Sequence, residues 1–217
     1  ILLHFSSPAE FESITSEQLE TALEQVSFKK FASKKISCIS NIAKTSFGIT
    51  FGLQSLTLQL KLLIQQINFI EQQVHDVEIQ IKQLLHKINT PITTIPGIGD
   101  IIGATILGEI GDIERFSNPS KLVAYAGIDA SVHQSGDYIS TNNKMSKRGS
   151  PYLRTALFRA ALIASVHDPV FKAYYQKKRS EGKHHLTCLG AVARKLCYTI
   201  HAILKNNCEY KVQLPTE

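Results

Sequence analysis

The most reactive pattern in this chain is a serine on a glycine-containing loop, followed closely by cations. Ser135 precedes Gly136, and His133 lies two residues before it. The cations that follow are Lys144, Lys147, Arg148, Arg154 and Arg159. A serine hydroxyl is a weak nucleophile until a base or a nearby positive charge assists it. Cations beside it could neutralise phosphoryl oxygens as charge builds, which is the chemistry of phosphoryl transfer.

Other serines compete with Ser135 for this role. The rivals are Ser131, Ser140 and Ser146. Ser146 adjoins two cations and could instead cap a helix. We prefer Ser135 because Gly136 permits an open turn and the loop precedes the cations. Without further information, a Ser-Gly pair is usually only a turn.

A second pattern, residues 95–99, reads Ile-Pro-Gly-Ile-Gly and leads into a predicted helix. Gly97 and Gly99 would let the backbone approach a phosphate, and the helix N-terminus would present free N–H groups. This is typical of helix-hairpin-helix modules, which bind phosphate rather than base sequence. The alternative is an ordinary tight turn between helices. Asp100 suits a helix start but would repel a phosphate.

Charge is distributed unevenly along the chain. The net charge is +6, yet the segment from Lys144 to Lys205 holds 13 lysine and arginine residues against two acids. This asymmetry favours a polyanion partner over a merely solubilising surface. Within it, residues 171–185 mix aromatic and basic side chains. These residues either follow a nucleic-acid strand or pack their rings inward while their lysines face water. The basic stretch from Lys29 to Lys35 leaves the same two alternatives open.

Residues 53–88 show an unbroken heptad repeat of apolar residues without Pro or Gly. The pattern predicts one helix of roughly 54 Å at ~1.5 Å per residue. It favours a homodimeric coiled coil, and the alternative is packing against residues 1–50 of the same chain. No apolar run reaches the ~18 residues of a membrane span.

The remaining patterns are mostly helical. Residues 1–50 contain a helix that Ser16 should cap. Asn118 should cap a short helix that begins near Pro119 and ends at Gly127, and Tyr138-Ile139 suits a hairpin strand. Two further helices are expected at about 150–166 and 186–206. We predict a mainly α protein: a helical segment 1–50, the coiled-coil helix 53–88, and a compact helical domain 91–217 with an irregular serine loop.

The four cysteines include no C-x-x-C pair, which indicates a reducing cytoplasm and no metal site in this chain. The chain begins at Ile1 rather than Met and shows no signal peptide. We therefore expect it to be part of a longer protein.

Residues 91–205 resemble the C-terminal domain of insertion-sequence transposases of the IS-one-ten family. The elements that match in order and spacing are Ile95-Pro-Gly-Ile-Gly99, Glu109-Ile-Gly111, Arg115-Phe116, Tyr125-Ala-Gly127, Ser135-Gly136, Ser146-Lys-Arg-Gly149 and Tyr152-Leu-Arg154. The resemblance implies that Ser135 is the catalytic serine and that DNA, together with a guide RNA, is the partner. It also implies a RuvC-like domain before residue 1, whose DEDD acids bind Mg²⁺.

This chain departs from the family because no acid-bearing strand could supply those four acids. We expect the C-terminal part of a DNA transposase or site-specific recombinase that is inactive without its acidic domain. The first alternative is a non-catalytic DNA-binding or dimerisation module, in which Ser135 is idle. The second is a purely structural coiled-coil protein, which the basic C-terminal third disfavours.

Overall fold

The structure is a computed structural model. It describes residues 7–13, 15, 17–19, 21, 36, 38–39, 41–46, 51–130, 134–135, 138–139 and 144–212. Two compact units divide the chain, Ile1–Asp76 and Val77–Glu217. The described residues are mainly α-helical, which confirms the predicted fold class. Among them, no helix is long and apolar enough to cross a membrane.

The first unit contains helix α1, Pro8–Ser13, and a small apolar cluster around the buried Leu19. A reciprocal capping contact lies just before Leu19. The Gln18 N–H donates to Thr15 Oγ1, and the Thr15 N–H donates to Gln18 Oε1, both at 3.4 Å. The capping contact therefore involves Thr15, whereas Ser16 lies outside the described residues. The Lys29–Lys35 stretch also lies outside them.

The heptad pattern forms a single helix, α2, Leu53–Ile88, with the predicted bounds. The stripe remains largely in solvent: Ile67, Ile70 and Val77 are each more than half exposed. Pro91 then begins a 3-10 helix, Pro91–Thr94, because proline suits the first turn of a helix and cannot continue the preceding one.

Apolar side chains anchor the turn between α2 and helix α3, Asp100–Ile110. Ile92, Ile95 and Ile98 are each at most 3% exposed and belong to the main core. A 3-10 helix, Ile113–Arg115, follows α3. Helix α4, Pro119–Ala126, has the predicted Asn118 cap and ends at Gly127 in a left-handed conformation. The predicted hairpin strand also forms, because β1, Gln134–Ser135, pairs antiparallel with β2, Tyr138–Ile139.

Three C-terminal helices complete the second unit: α5, Pro151–His167, α6, Pro169–Ser180, and α7, His185–Asn206. The sequence patterns predicted α5 and α7 but not α6, whose residues were noted only for their mixture of aromatic and basic side chains. A local signal was present, because Asp168 caps the N–H groups of Val170 and Phe171 and Pro169 occupies the first turn.

Helix α5 lies at the centre of this unit and packs against α3, α6 and α7. The face that it buries consists largely of alanines, which let neighbouring backbones approach closely. They are Ala156, Ala160, Ala161 and Ala164. Helix α7 packs against α4 as well, and its His201 Nε2 lies 2.8 Å from the Phe116 carbonyl oxygen. These contacts hold the elements that carry the cations.

The C-terminal tail closes over the junction of α5 and α6. The Tyr210 hydroxyl donates to the buried Asp168 Oδ2 at 2.8 Å, and its backbone N–H donates to Thr94 Oγ1 at 2.9 Å. Burial and the Asp168 bond both raise the pKa of Tyr210. Burial also raises the pKa of the Cys197 thiol to about 12, so this cysteine is an unreactive core residue.

Candidate nucleic-acid interface

The serine loop is closed at its base by a short antiparallel backbone contact. An isolated bridge pairs Ala130 with Met145. Three backbone hydrogen bonds continue the contact: Ser146 N–H to Asp129 O at 2.9 Å, Lys147 N–H to Gly127 O at 3.0 Å, and Ser150 N–H to Tyr125 O at 2.8 Å. The Tyr-Ala-Gly and Ser-Lys-Arg-Gly patterns of the sequence therefore lie against each other.

Two glycines allow this close approach. A Cβ at Gly149 would lie 1.8 Å from the Tyr125 carbonyl oxygen. A Cβ at Gly127 would lie 2.7 Å from the Gly149 nitrogen, and Gly127 has a φ of +66°. Neither position can accept a side chain without moving backbone. The loop base thus depends on both glycines.

Side chains join the loop base to the helices on either side. Ser150 Oγ donates to Glu109 Oε2 of α3 at 2.6 Å and accepts the Leu153 N–H at 3.0 Å, which caps α5. Arg154 Nη1 donates to the Ala126 carbonyl oxygen at the end of α4, at 3.2 Å. These bonds set the position of α5 relative to the loop.

An open groove of about 870 Å³ forms where the loop base meets α5 and α7. We call it the basic groove. Five cations line it: Lys144, Lys147, Arg154, Arg159 and Arg194. Among the described lining residues the single acid is Asp129, which already accepts a hydrogen bond from Ser146 Oγ. Such an excess of cations at one surface suits a phosphate backbone.

Four of the five predicted cations meet in this groove, and one does not. Lys144, Lys147, Arg154 and Arg159 line it, whereas Arg148 is exposed outside the lining. Sequence reasoning did not single out Arg194, which comes from α7, 35 residues after Arg159. The uneven charge of residues 144–205 was the available signal, but it did not distinguish Arg194 from the other cations there.

The predicted phosphate-binding glycines lie away from the basic groove lining. Gly97 has a φ of +90°, and a Cβ there would lie 2.5 Å from the Ala160 carbonyl oxygen of α5. Packing against α5 therefore accounts for this glycine. Gly99 has open space around it and precedes the N-terminus of α3. The helix-hairpin-helix motif stays a prediction.

The backbone of Ser135 lies in β1, where it pairs with Tyr138, and its side chain lies outside the description. The residues His133, Gly136, Ser131 and Ser140 are also outside the described part. Ser135 lies five residue steps along the chain from Ala130 on the groove edge, a chain length that spans at most about 18 Å. Ser146 is engaged with Asp129, which makes it a weaker rival.

A metal site is not evident in the described residues. No group of three or more His, Cys, Asp or Glu side chains there could hold an ion. Asp129, the acid that lines the groove, is bonded to a hydroxyl instead.

One segment of the chain is similar to a known protein family. Residues 89–176 match the pattern of the transposase IS116/IS110/IS902 family. This segment of the chain is similar to the transposase IS116/IS110/IS902 family. The matched segment runs from the end of α2 into α6, so it includes the loop base and most of the basic groove. Helix α7, with Arg194, lies beyond it.

Individual relatives agree with this family. The chain is 28% identical over 130 residues to a 43.6 kDa protein of insertion element IS110 from Streptomyces coelicolor, covering 60% of this chain and 32% of that protein. It is 33% identical over 126 residues to a 42 kDa protein of IS900 from Mycobacterium paratuberculosis, covering 58% and 31%.

A pilin gene-inverting protein of Moraxella bovis is 32% identical over 126 residues, covering 58% of this chain and 39% of that protein. The matches therefore span between three tenths and two fifths of these relatives. These relatives are two insertion-element proteins and a gene-inverting protein.

Proposed function

We propose that this chain is the DNA-binding, serine-bearing part of a transposase or site-specific recombinase. The observation that carries the proposal is the basic groove, where cations from the loop base, α5 and α7 converge. The comparisons support it, because the chain is similar to a transposase family and to a pilin gene-inverting protein. The proposed ligand is the phosphate backbone of duplex DNA.

The groove should bind DNA with little sequence preference. Its cations are long side chains that can reach phosphate oxygens, and contacts of this kind position a duplex without reading its bases. Arg154 keeps further N–H donors beyond the one bonded to the Ala126 carbonyl. Arg159 and Arg194, from two different helices, would hold the backbone from two sides.

The proposed chemistry uses Ser135 as the nucleophile. Its oxygen attacks a backbone phosphorus, so an O–P bond to serine forms while the bond to one sugar oxygen breaks. The serine proton passes to a base, and the departing sugar oxygen takes up a proton. The cations of the groove would stabilise the extra negative charge on the phosphoryl oxygens. Mg²⁺ would be held by acids of another domain, as the family resemblance implies.

The alternative is a non-catalytic DNA-binding or dimerisation module. The basic groove is consistent with both functions, since it would bind DNA whether or not Ser135 reacts. The two functions differ only in whether a DNA strand bound near the serine loop becomes covalently attached to Ser135. They therefore need separate experiments, one on binding and one on covalent chemistry.

DNA binding is tested by changing one groove cation. We expect Arg159→Gln to weaken binding of the chain to duplex DNA and to lower the slope of log K against log salt by about 0.9. Lys121→Gln is the matched control, because Lys121 is exposed on α4 and does not line the groove. Equal losses for both variants, or no binding by the parent chain, would overturn the groove assignment.

The nucleophile is tested in the full-length recombinase proposed to contain this chain. We expect Ser135→Ala to abolish covalent protein–DNA adducts and strand exchange while DNA affinity is retained. Ser146→Ala is the control, and we expect it to keep forming adducts. Adducts that persist in Ser135→Ala would move the nucleophile to another residue. A parent that binds DNA without forming adducts would favour the non-catalytic module.

We also propose that the chain self-associates through α2. Most heptad positions are exposed in the single chain, from Leu56 at 44% to Ile88 at 64%, whereas Leu53, Leu60 and Ile81 are half-buried. An apolar stripe of this length in water is costly, and a second copy supplies a matching stripe. Pairing of two chains would bring two serine loops into one assembly, as the exchange of two DNA strands requires.

A further inference from the structure

A second basic surface lies between α6 and α7, and the proposed function has not used it. We call it the α6–α7 surface, a depression of about 510 Å³. Its charged and aromatic lining residues are Tyr174, Lys178, Lys183, Arg194, Lys195 and Tyr198. The lining contains four cations and, among the described residues, no acid.

Two ammonium groups of this surface are gathered over one ring. Lys195 Nζ lies 5.0 Å from the Tyr174 ring centroid, and Lys178 Nζ lies 5.6 Å from it. The ring face attracts both cations and holds them in place. Two like charges on one ring also repel each other, and an anion bound beside them would relieve that repulsion.

Glu181 neutralises only part of the positive charge of the α6–α7 surface. Glu181 pairs with Lys178 at 2.7 Å and with Lys183 at 2.8 Å. These two lysines lower the pKa of Glu181 to about 2, so it remains ionised at neutral pH. Arg194 and Lys195 form no ion pair within the part of the chain that the structure describes. The surface therefore keeps an excess of positive charge.

The α6–α7 surface is continuous with the basic groove. Thr187 and Arg194 line both of them, so Arg194 stands at the junction. A polyanion that fills the basic groove would reach the cations of α6 and α7 by crossing this junction. The geometry points to one extended track rather than two separate sites.

The aromatic residues here do not provide a free platform for base stacking. Tyr174 already carries two ammonium groups, and the Tyr198 hydroxyl lies 2.9 Å from Ser120 Oγ of α4. The chemistry of the surface is thus that of backbone phosphates. We propose that the α6–α7 surface binds the phosphate backbone of the DNA where it extends beyond the basic groove. This inference rests on the proposed function.

The test compares a double variant of the α6–α7 surface with a control pair of lysines on α6. Lys183→Gln with Lys195→Gln removes two cations of the α6–α7 surface. Lys172→Gln with Lys177→Gln removes two exposed cations of α6 that line neither surface. Binding to duplexes of graded length, and to a structured RNA, is measured over a range of salt concentrations.

We expect the surface variant to lower the salt slope for long duplexes by about 1.8, or about 0.9 per lost phosphate contact. The shortest bound duplexes should be unaffected. Lys195→Arg should keep the parent affinity because it keeps the charge. Lys183→Gln alone, at an exposed position, should show about half the change in slope without any effect on folding.

Several outcomes would overturn the inference while leaving the proposed function intact. If Arg159→Gln weakens DNA binding but the surface variant does not, the track ends at the basic groove. An equal loss in the Lys172/Lys177 pair would show a general charge effect. Loss of RNA binding alone would show that the surface serves RNA. A parent chain that binds no DNA would instead refute the proposed function itself.

Discussion

At the scale of single residues, several residues of the patterns that resemble the family hold the loop base and the neighbouring helices in place. Gly149 allows the loop base to close, Glu109 holds Ser150, and Arg115 Nη1 donates to the Ile110 carbonyl oxygen at 3.1 Å. Two cations that line the basic groove, Lys147 and Arg154, lie within the same patterns. The patterns therefore mark both the contacts that hold the groove together and part of its proposed binding surface.

Gly149 offers a sharp test of that support. We expect Gly149→Ala to destabilise the chain by about 2–4 kcal/mol, because the new Cβ would collide with the Tyr125 carbonyl. Gly108→Ala is the control. Gly108 is exposed inside α3 with open space around it, so the same change should stabilise by about 0.5–1 kcal/mol. Urea unfolding measures both, and equal effects would contradict the proposed role of the loop base.

At the scale of elements, α2 differs from the C-terminal helices in what it buries. Helices α5 and α7 bury nearly continuous apolar faces, whereas Leu85 is the one buried residue along α2. A long helix draws most of its stability in water from packing rather than from intrinsic propensity. We therefore expect the exposed apolar stripe of α2 to be buried against a partner surface.

The stripe makes a prediction about oligomeric state. We expect the chain to sediment as a dimer at micromolar concentration, and Ile67→Lys with Ile70→Lys to yield monomers. The control pair, Gln65→Lys with Asn68→Lys, adds the same charge at heptad positions outside the stripe and should leave the dimer intact. A parent chain that is monomeric would refute self-association, and a dimer that survives the stripe variant would place the interface elsewhere.

At the scale of the whole molecule, the core and the cations belong to the same unit. All buried residues of the main cluster lie between Ile92 and Ile203, within the unit Val77–Glu217. Both basic surfaces also lie within this unit. Folding and the proposed binding should therefore be separable from the first unit.

This separation can be measured on a polypeptide of residues 77–217. We expect it to unfold cooperatively and to bind duplex DNA with the same salt slope per chain as the full 217 residues. Its overall affinity should be lower, because loss of most of α2 removes the gain from two linked binding surfaces. A large drop in the salt slope would show that cations of the first unit also contact the DNA.

Several elements were determined by local sequence alone. The heptad repeat predicted α2 to the residue, and Asn118 with Pro119 predicted the start of α4. Periodicity and capping act within one or two turns of chain, so they can be read without knowing the fold. The helix α6 was missed although Asp168 and Pro169 carry the same kind of local signal, because the mixture of rings and cations suggested a functional stretch instead.

Only the tertiary structure decided which cations act together. The charge count of residues 144–205 predicted a polyanion partner, but it could not separate Arg148, outside the groove, from Arg194, inside it. That choice depends on how α5 and α7 pack across the alanine face and on how closely Gly149 lets the loop base approach α4. Contacts between residues far apart in sequence set those positions, and no local pattern encodes them.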